Sequence, residues 1–206
     1  EVTGYKKYYD AAYNHMQTSI ANIIRPDASS YHTFFFDMAT NEPLRGETHQ
    51  GFSDDSSWAR GQSWAVYGLA LCYHYTHEEA ILPLFERVTK YFIDHLPEDY
   101  VPYWDLIFSD GSCEPRDTSA AAIAACGILE MEKYYHNQEF LDIAKKMMSS
   151  LSEKYTTVDY LQSNGIIKDG MYSRKHGHKS ECTSWGDYFY REARMRMKKS
   201  DWKIYW

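Results

Sequence analysis

Apolar residues recur at helical spacing in six stretches of the chain, and these alternate between two kinds. Residues 4–24 put Tyr9, Ala12, Met16, Ile20 and Ile23/Ile24 on one face, the pattern of a helix half in contact with a core. Residues 57–76 are apolar almost all round, which predicts a buried helix. Residues 79–96 are amphipathic, 118–135 are small, apolar and again predicted buried, 138–155 are amphipathic, and 187–198 close the set. The connections are polar, with Gly, Pro, Asp and Ser, and Tyr31-His32-Thr33-Phe34-Phe35-Phe36 predicts one short strand.

The alternation has a period. YGLALCYHYTHEE, starting at 67, aligns with CGILEMEKYYHNQ, starting at 126, an offset of 59 residues that pairs Gly68 with Gly127 and His77 with His136. A helix pair repeated at a fixed offset predicts outer and inner helices arranged as a toroid or solenoid, here outer–inner three times over. The expected fold class is therefore all-α, a single domain over residues 1–206 that supplies about three hairpins, where closing such a barrel takes about six. Half a barrel exposes the sides of its buried helices, so an N-terminal half or self-association is expected to cover them. The opening EVTGYKKYYD carries no Met, and a preceding segment is expected on that ground too.

Composition narrows the function. A net charge of -7 argues against a nucleic-acid reader, and an acidic ligand would need a local basic pocket. Aromatic residues at 17% suit either a helical core or the stacking of sugar faces. Cys72, Cys113, Cys126 and Cys182 form no CxxC pair and are read as reduced, with no zinc site. HExxH and EF-hand patterns are absent, no run reaches the length of a membrane span, and no signal peptide is visible, so a cytoplasmic location is expected, with a periplasmic or secreted precursor as the alternative.

The chemistry gathers where the inner helices begin: WARGQSW at 58–64, EPRDTSA at 114–120 and SWGDY at 184–188. Helix N-termini favour anions, and Arg60 adds a planar fork able to hold a carboxylate by two bonds. Several of these residues also have plain structural readings. Asp117 and Asp187 stand in N-cap positions, Asp54 and Asp55 can cap the helix from 57, Arg116 can pair locally, and His32 can be a half-buried histidine among aromatics. Trp58 and Trp64, six apart, do not share one stripe of the helix and are harder to assign to packing alone.

SDDSSWARGQSWAVYGLALCYHYT resembles the signature of the unsaturated glucuronyl hydrolases, glycoside hydrolase family 88. PYWDLIFSDGSCEPRDTSAAAIAACGILEM, WGDYFYREARMRM and the final WKIYW resemble that family's later blocks, in order and over nearly the whole chain. The related unsaturated rhamnogalacturonyl hydrolases typically read RGN where this chain reads ARGQ. The resemblance implies an (α/α)6 barrel acting on lyase-generated oligosaccharides that end in a 4,5-unsaturated uronic acid, of glycosaminoglycan type. An aspartic acid protonates C4 of the vinyl ether, water adds at C5, and the hemiketal collapses; neither cofactor nor metal takes part. This is hydration, so carboxylate separation does not set a stereochemical outcome.

Carried over position by position, the resemblance places substrate contacts at His32, Gln50, Trp58, Arg60 and Trp64. The family's catalytic aspartates would fall upstream of Glu1, leaving Asp117 as a weak fallback. YSRKHGHKSECTSW is basic but departs from the Ser- and Lys-bearing loop of relatives that accept sulfated sugars. The rival readings are an unsaturated rhamnogalacturonyl hydrolase and a non-catalytic half-barrel that binds acidic sugars.

Overall fold

The computed structural model describes residues 3–199 and 201–204. The chain forms α1 (Lys6–Ile23), β1 (Thr33–Phe36), β2 (Pro43–Glu47), α2 (Ala59–Thr76), α3 (Ile81–Asp94), α4 (Thr118–Met131), α5 (Gln138–Lys154), a short 3-10 turn at Arg174–His176, and α6 (Ser184–Lys198). All six expected helices are present. Of the WKIYW block, Tyr205 and Trp206 lie outside the described residues.

The layers follow from side-chain size. α4 carries six residues, Ala120–Ala125, of which only Ile123 is larger than Ala, and every residue of α4 except Leu129 is buried. So slim a helix fits between two others, and α4 packs against α2 on one side and α6 on the other. The closest approach is at Gly127, where a Cβ would stand 2.7 Å from the Tyr67 Cα. The amphipathic helices cover the outside: α3 lays Ile81, Phe85, Val88 and Phe92 against α2, and α5 lays Phe140, Ala144, Met147 and Leu151 against α4. The inner row is thus α2–α4–α6.

One inner helix has an open side, as expected of half a barrel, and expectation and structure part at three other places. α2 is buried on one side only; Gly61, Trp64, Ala65, Gly68 and Cys72 face a groove of about 520 Å³ whose far wall is α1. α1 itself buries only Met16, because it stands off from α2. The predicted strand is half of an antiparallel hairpin, pairing Thr33 with Glu47 and Phe35 with Arg45. Its partner PLRGE carries Pro and Gly, shows no alternation and is largely exposed, so no pattern marked it. α4 also ends at Met131, four residues short of the predicted 135, and the chain turns there.

At the end away from the hairpin, a buried charge cluster ties the inner row together. Arg196 of α6 binds Glu130 of α4, donates from Nε to Glu192 at 2.9 Å and from Nη2 to the Tyr67 hydroxyl of α2 at 3.1 Å. Lys133 adds a bond to Glu130 at 2.7 Å. Among the described residues no helix is long and apolar enough to cross a membrane. The four cysteines are unpaired.

Gly68 and Gly127, equivalent in the repeat, are predicted to respond in opposite ways. Gly127→Ala drives a Cβ into the backbone of α2 and should cost about 1–3 kcal/mol. Nothing lies within 4 Å of a Cβ at Gly68, so Gly68→Ala should gain roughly 0.5–1 kcal/mol of helix propensity. Urea unfolding of the two variants measures both.

Candidate active site

The three inner helices begin at one mouth, and backbone bonds stitch the segments that enter them. Leu106 N–H donates to Ser57 O at 2.9 Å, Ala59 N–H to Trp104 O at 3.1 Å, Asp117 N–H to Pro102 O at 2.9 Å and Thr118 N–H to Asp169 O at 3.1 Å. Buried Asp105 holds the loop before α2, accepting from Phe52 N–H at 2.8 Å and Ser56 Oγ at 2.7 Å. Trp58 is the N-cap of α2 and makes no side-chain cap bond.

Arg60, in the first turn of α2, is 3% exposed. Its Nη1 donates to Asp117 Oδ2 at 2.9 Å and to Met171 O at 2.8 Å, with Ser119 Oγ at 3.3 Å; its Nη2 donates to Tyr172 O at 2.8 Å. The guanidinium lies between two indoles, 4.6 Å from the Trp58 ring and 5.2 Å from the Trp185 ring. The Nη1 end of the fork is thus occupied by the protein. Guanidinium carries five N–H donors. Among the described residues the Nε–H and the second Nη2 hydrogen have no acceptor, and Nε is not among the sealed, unpartnered atoms.

His32 stands just before β1, and the hairpin returns the chain so that the backbone N–H groups of His49 and Gln50 both donate to its Nδ1, at 3.0 and 2.9 Å. With Nδ1 accepting twice, the proton of the neutral ring sits on Nε2, leaving one fixed donor. Burial pushes the pKa down from the ordinary 6.5 to about 4, helped by the nearby His49 and Arg60 charges. Without a ligand the ring is therefore neutral at neutral pH. The ring packs 4.4 Å from that of Trp58. Gln50 donates its side-chain amide to Tyr172 O at 2.8 Å, the carbonyl that Arg60 also binds. Trp58 is buried, while Trp64, with 37% exposure, meets Phe189 edge-on at 5.1 Å. His32, Trp58 and Trp64 all line the groove between α1 and α2.

Asp117 is the N-cap of α4, as its position predicted, and is also the buried partner of Arg60. It is fully buried and bound on both oxygens, an arrangement that suits an ion-pair partner. Asp187 does not cap α6, which starts three residues earlier at Ser184 with Thr183 as its N-cap; its carboxylate accepts instead from Ile166 and Ile167 N–H. Asp54 accepts from Thr48 N–H and does not cap α2. Arg116 is structural, 3.4 Å from Asp99 and over the Tyr103 ring at 3.9 Å.

Sequence reasoning missed Trp185, which donates its Nε1–H to Ser119 Oγ at 3.2 Å and closes the far side of Arg60. Its signal was available, since it belongs to the SWGDY segment already placed at the mouth. Met171 and Tyr172 contribute through backbone carbonyls, which no residue type announces. Among the described residues no group of three or more His, Cys, Asp or Glu is placed to hold a metal.

A row of close-packed inner helices jacketed by amphipathic ones, with aromatic and cationic groups collected at their N-termini, defines a protein of the α/α-barrel class. The model of Glycosyl Hydrolase Family 88 matches residues 1–202, and the chain belongs to that family. It is 49% identical over 210 residues to an unsaturated chondroitin disaccharide hydrolase of Streptococcus pneumoniae (strain ATCC BAA-255 / R6), covering 99% of this chain and 53% of that protein. The crystal structure of the unsaturated glucuronyl hydrolase from Streptococcus agalactiae superposes with a TM-score of 0.94 at 46% identity, covering 99% of this chain and 53% of that one. That from Bacillus sp. GL1 superposes with a TM-score of 0.91 at 38% identity, over 96% and 54%. A variant of the S. agalactiae enzyme has been solved with dGlcA-GalNAc6S. The chain spans about half the length of these relatives.

The low pKa of His32 predicts a pH signature. Between about 6.5 and about 4 the unfolded chain binds a proton at this ring and the folded chain does not, so His32 makes stability fall as pH falls across that window. His32→Asn keeps an acceptor near the Nδ1 position and cannot titrate. The unfolding free energy of the wild type minus that of the variant should therefore decrease from pH 7 to pH 4; a flat difference would show that the ring is not held neutral.

Proposed function

We propose that this chain forms one wall of the active site of a hydrolase that removes a 4,5-unsaturated uronic acid from the non-reducing end of lyase-generated, glycosaminoglycan-type oligosaccharides. The observation that carries the reading is the unspent Nε–H/Nη2–H edge of Arg60, framed by indoles and set near the fixed Nε2–H donor of His32. A planar carboxylate takes two parallel bonds from such an edge. Trp58 and Trp64 supply apolar walls for the ring, and Gln50 offers its free amide oxygen to a hydroxyl. The chondroitin and glucuronyl hydrolase relatives, and the disaccharide in one of their structures, support the same substrate class.

The reaction needs a proton delivered to C4 and a water added at C5; the resulting hemiketal then opens and releases the second sugar. No carboxylic acid lines the groove beside Trp58 and Trp64; its titratable lining is His15, Tyr31, His32 and Cys72. The acid therefore comes from a segment that lies across the groove. The repeat indicates what kind of segment: Gly127 admits the backbone of α2, and Gly68, its equivalent, faces open space where one more inner helix fits. We read the groove as the seat of such a helix, with self-association as the other way of covering it. Unpaired cysteines agree with a reducing, cytoplasmic setting.

The 206-residue chain is predicted to bind an unsaturated chondroitin disaccharide without turning it over. Tryptophan fluorescence follows binding, and the ultraviolet absorbance of the unsaturated uronate follows turnover. Arg60→Lys should weaken binding by about 1.5–3 kcal/mol, because an ammonium lacks the planar fork. Turnover by the chain alone would overthrow the placement of the acid; unchanged binding in Arg60→Lys would make Arg60 purely structural. Stronger binding of a pectin-derived unsaturated disaccharide would favour the rhamnogalacturonyl reading.

A further inference from the structure

The most constrained polar group at the mouth is Asp117, whose two oxygens have separate tasks. Oδ1 faces its own helix: it accepts from Ser119 Oγ at 2.5 Å and Ser119 N–H at 3.2 Å, and lies 3.4 Å from Met171 N–H. Oδ2 faces α2 and accepts from Arg60 Nη1 at 2.9 Å. The carboxylate is fully buried and its partner nearly so. Met171 and Tyr172 complete the clamp on the guanidinium through their carbonyls, both 2.8 Å from it.

An arginine side chain has many rotamers, and a guanidinium can present either its end or its side to a carboxylate. Here Nη1 is committed to Asp117 and Met171, and Nη2 gives one hydrogen to Tyr172 O. What remains among the described residues is the Nε–H and the other Nη2 hydrogen. We propose that Asp117 is a positioning residue that selects for an acidic sugar by pinning the Nη1 end of Arg60, so that the Nε–H/Nη2–H edge meets the ligand carboxylate. This rests on the uronate reading of the site, and it assigns Asp117 no contact with substrate and no proton transfer.

Asp117→Asn separates this role from simple capping. Asn is among the best N-caps, so the start of α4 survives the change. Yet an amide has one acceptor oxygen: turned toward Ser119 it aims its NH₂ at Arg60, and turned toward Arg60 it aims its NH₂ at the Ser119 N–H. Two readouts are taken on the 206-residue chain. The first is the ¹⁵N spectrum of the Arg60 guanidinium, where a pinned group gives separate Nη signals and a rotating one gives an averaged signal. The second is the affinity for a 4,5-unsaturated uronate disaccharide relative to its methyl ester, which has the same shape without the charge.

Separate Nη signals are expected in the wild type and an averaged signal in Asp117→Asn, with helix content unchanged. The preference for the acid over the ester should fall roughly tenfold or more, the range of a charge-assisted hydrogen bond. An averaged signal in the wild type overturns the proposal even if the variant does not fold. Separate signals and a full preference for the acid in Asp117→Asn overturn it as well. Pinning that disappears in the variant, in a chain that binds acid and ester alike, supports the positioning role and refutes the uronate reading instead.

Discussion

The buried ion pair between Arg60 and Asp117 is the constraint on which the mouth depends. One partner opens α2 and the other caps α4, and the pair has the carbonyls of Met171 and Tyr172 and the hydroxyl of Ser119 around it. Two charges removed from water are tolerable only when most of the hydrogen-bonding positions around them are satisfied. That requirement forces three chain segments, distant in sequence, to meet within a few ångströms. Removing one partner from such a pair costs about 3–5 kcal/mol, because the other charge is left buried alone. Among the described residues the otherwise sealed Arg60 keeps its Nε–H and one Nη2 hydrogen without a protein acceptor.

A second arginine does the corresponding work at the opposite end. Arg196 reaches Glu130, Glu192 and Tyr67 and so ties α6 to α4 and α2. Between these two bolts the inner row is held by close contact of small residues, with Gly127 against the backbone at Tyr67 and the Ala-rich stretch of α4 filling the gap between its neighbours. Packing at that density leaves little room for sliding, so groups placed on helix ends stay where the helices put them. The outer helices contribute large apolar side chains and little chemistry.

The open side of α2 is the counterpart of this order. Gly61, Ala65, Gly68 and Cys72 on that side are as small as the residues that α4 buries, yet with Trp64 and Leu69 they face a groove shared with α1. Of the three helices in the row, α4 lies between its two neighbours and α2 has one side open to the groove. The half-enclosed helix is the one that carries Arg60 and Trp64, with Trp58 as its N-cap.

Much of this was legible in the residues. Two kinds of apolar periodicity separate inner from outer helices, because a helix surrounded by protein must be apolar all round and a covering helix must not be. The offset between Gly68 and Gly127 marks the toroid repeat, and Trp58 and Trp64 stand out because packing alone does not account for them. What the sequence did not determine depends on atoms that residue types do not specify. The second strand has no alternation to read, the Nδ1 of His32 is held by two backbone N–H groups, and the Nη atoms of Arg60 end on backbone carbonyls. Above all, Asp117 looked like a cap and is one, but its second oxygen points across to another helix. Local pattern fixes which helices form and which faces they bury. Only the tertiary structure decides which donors of a buried group are used up and which remain for a ligand, because that accounting is done between segments far apart in the chain.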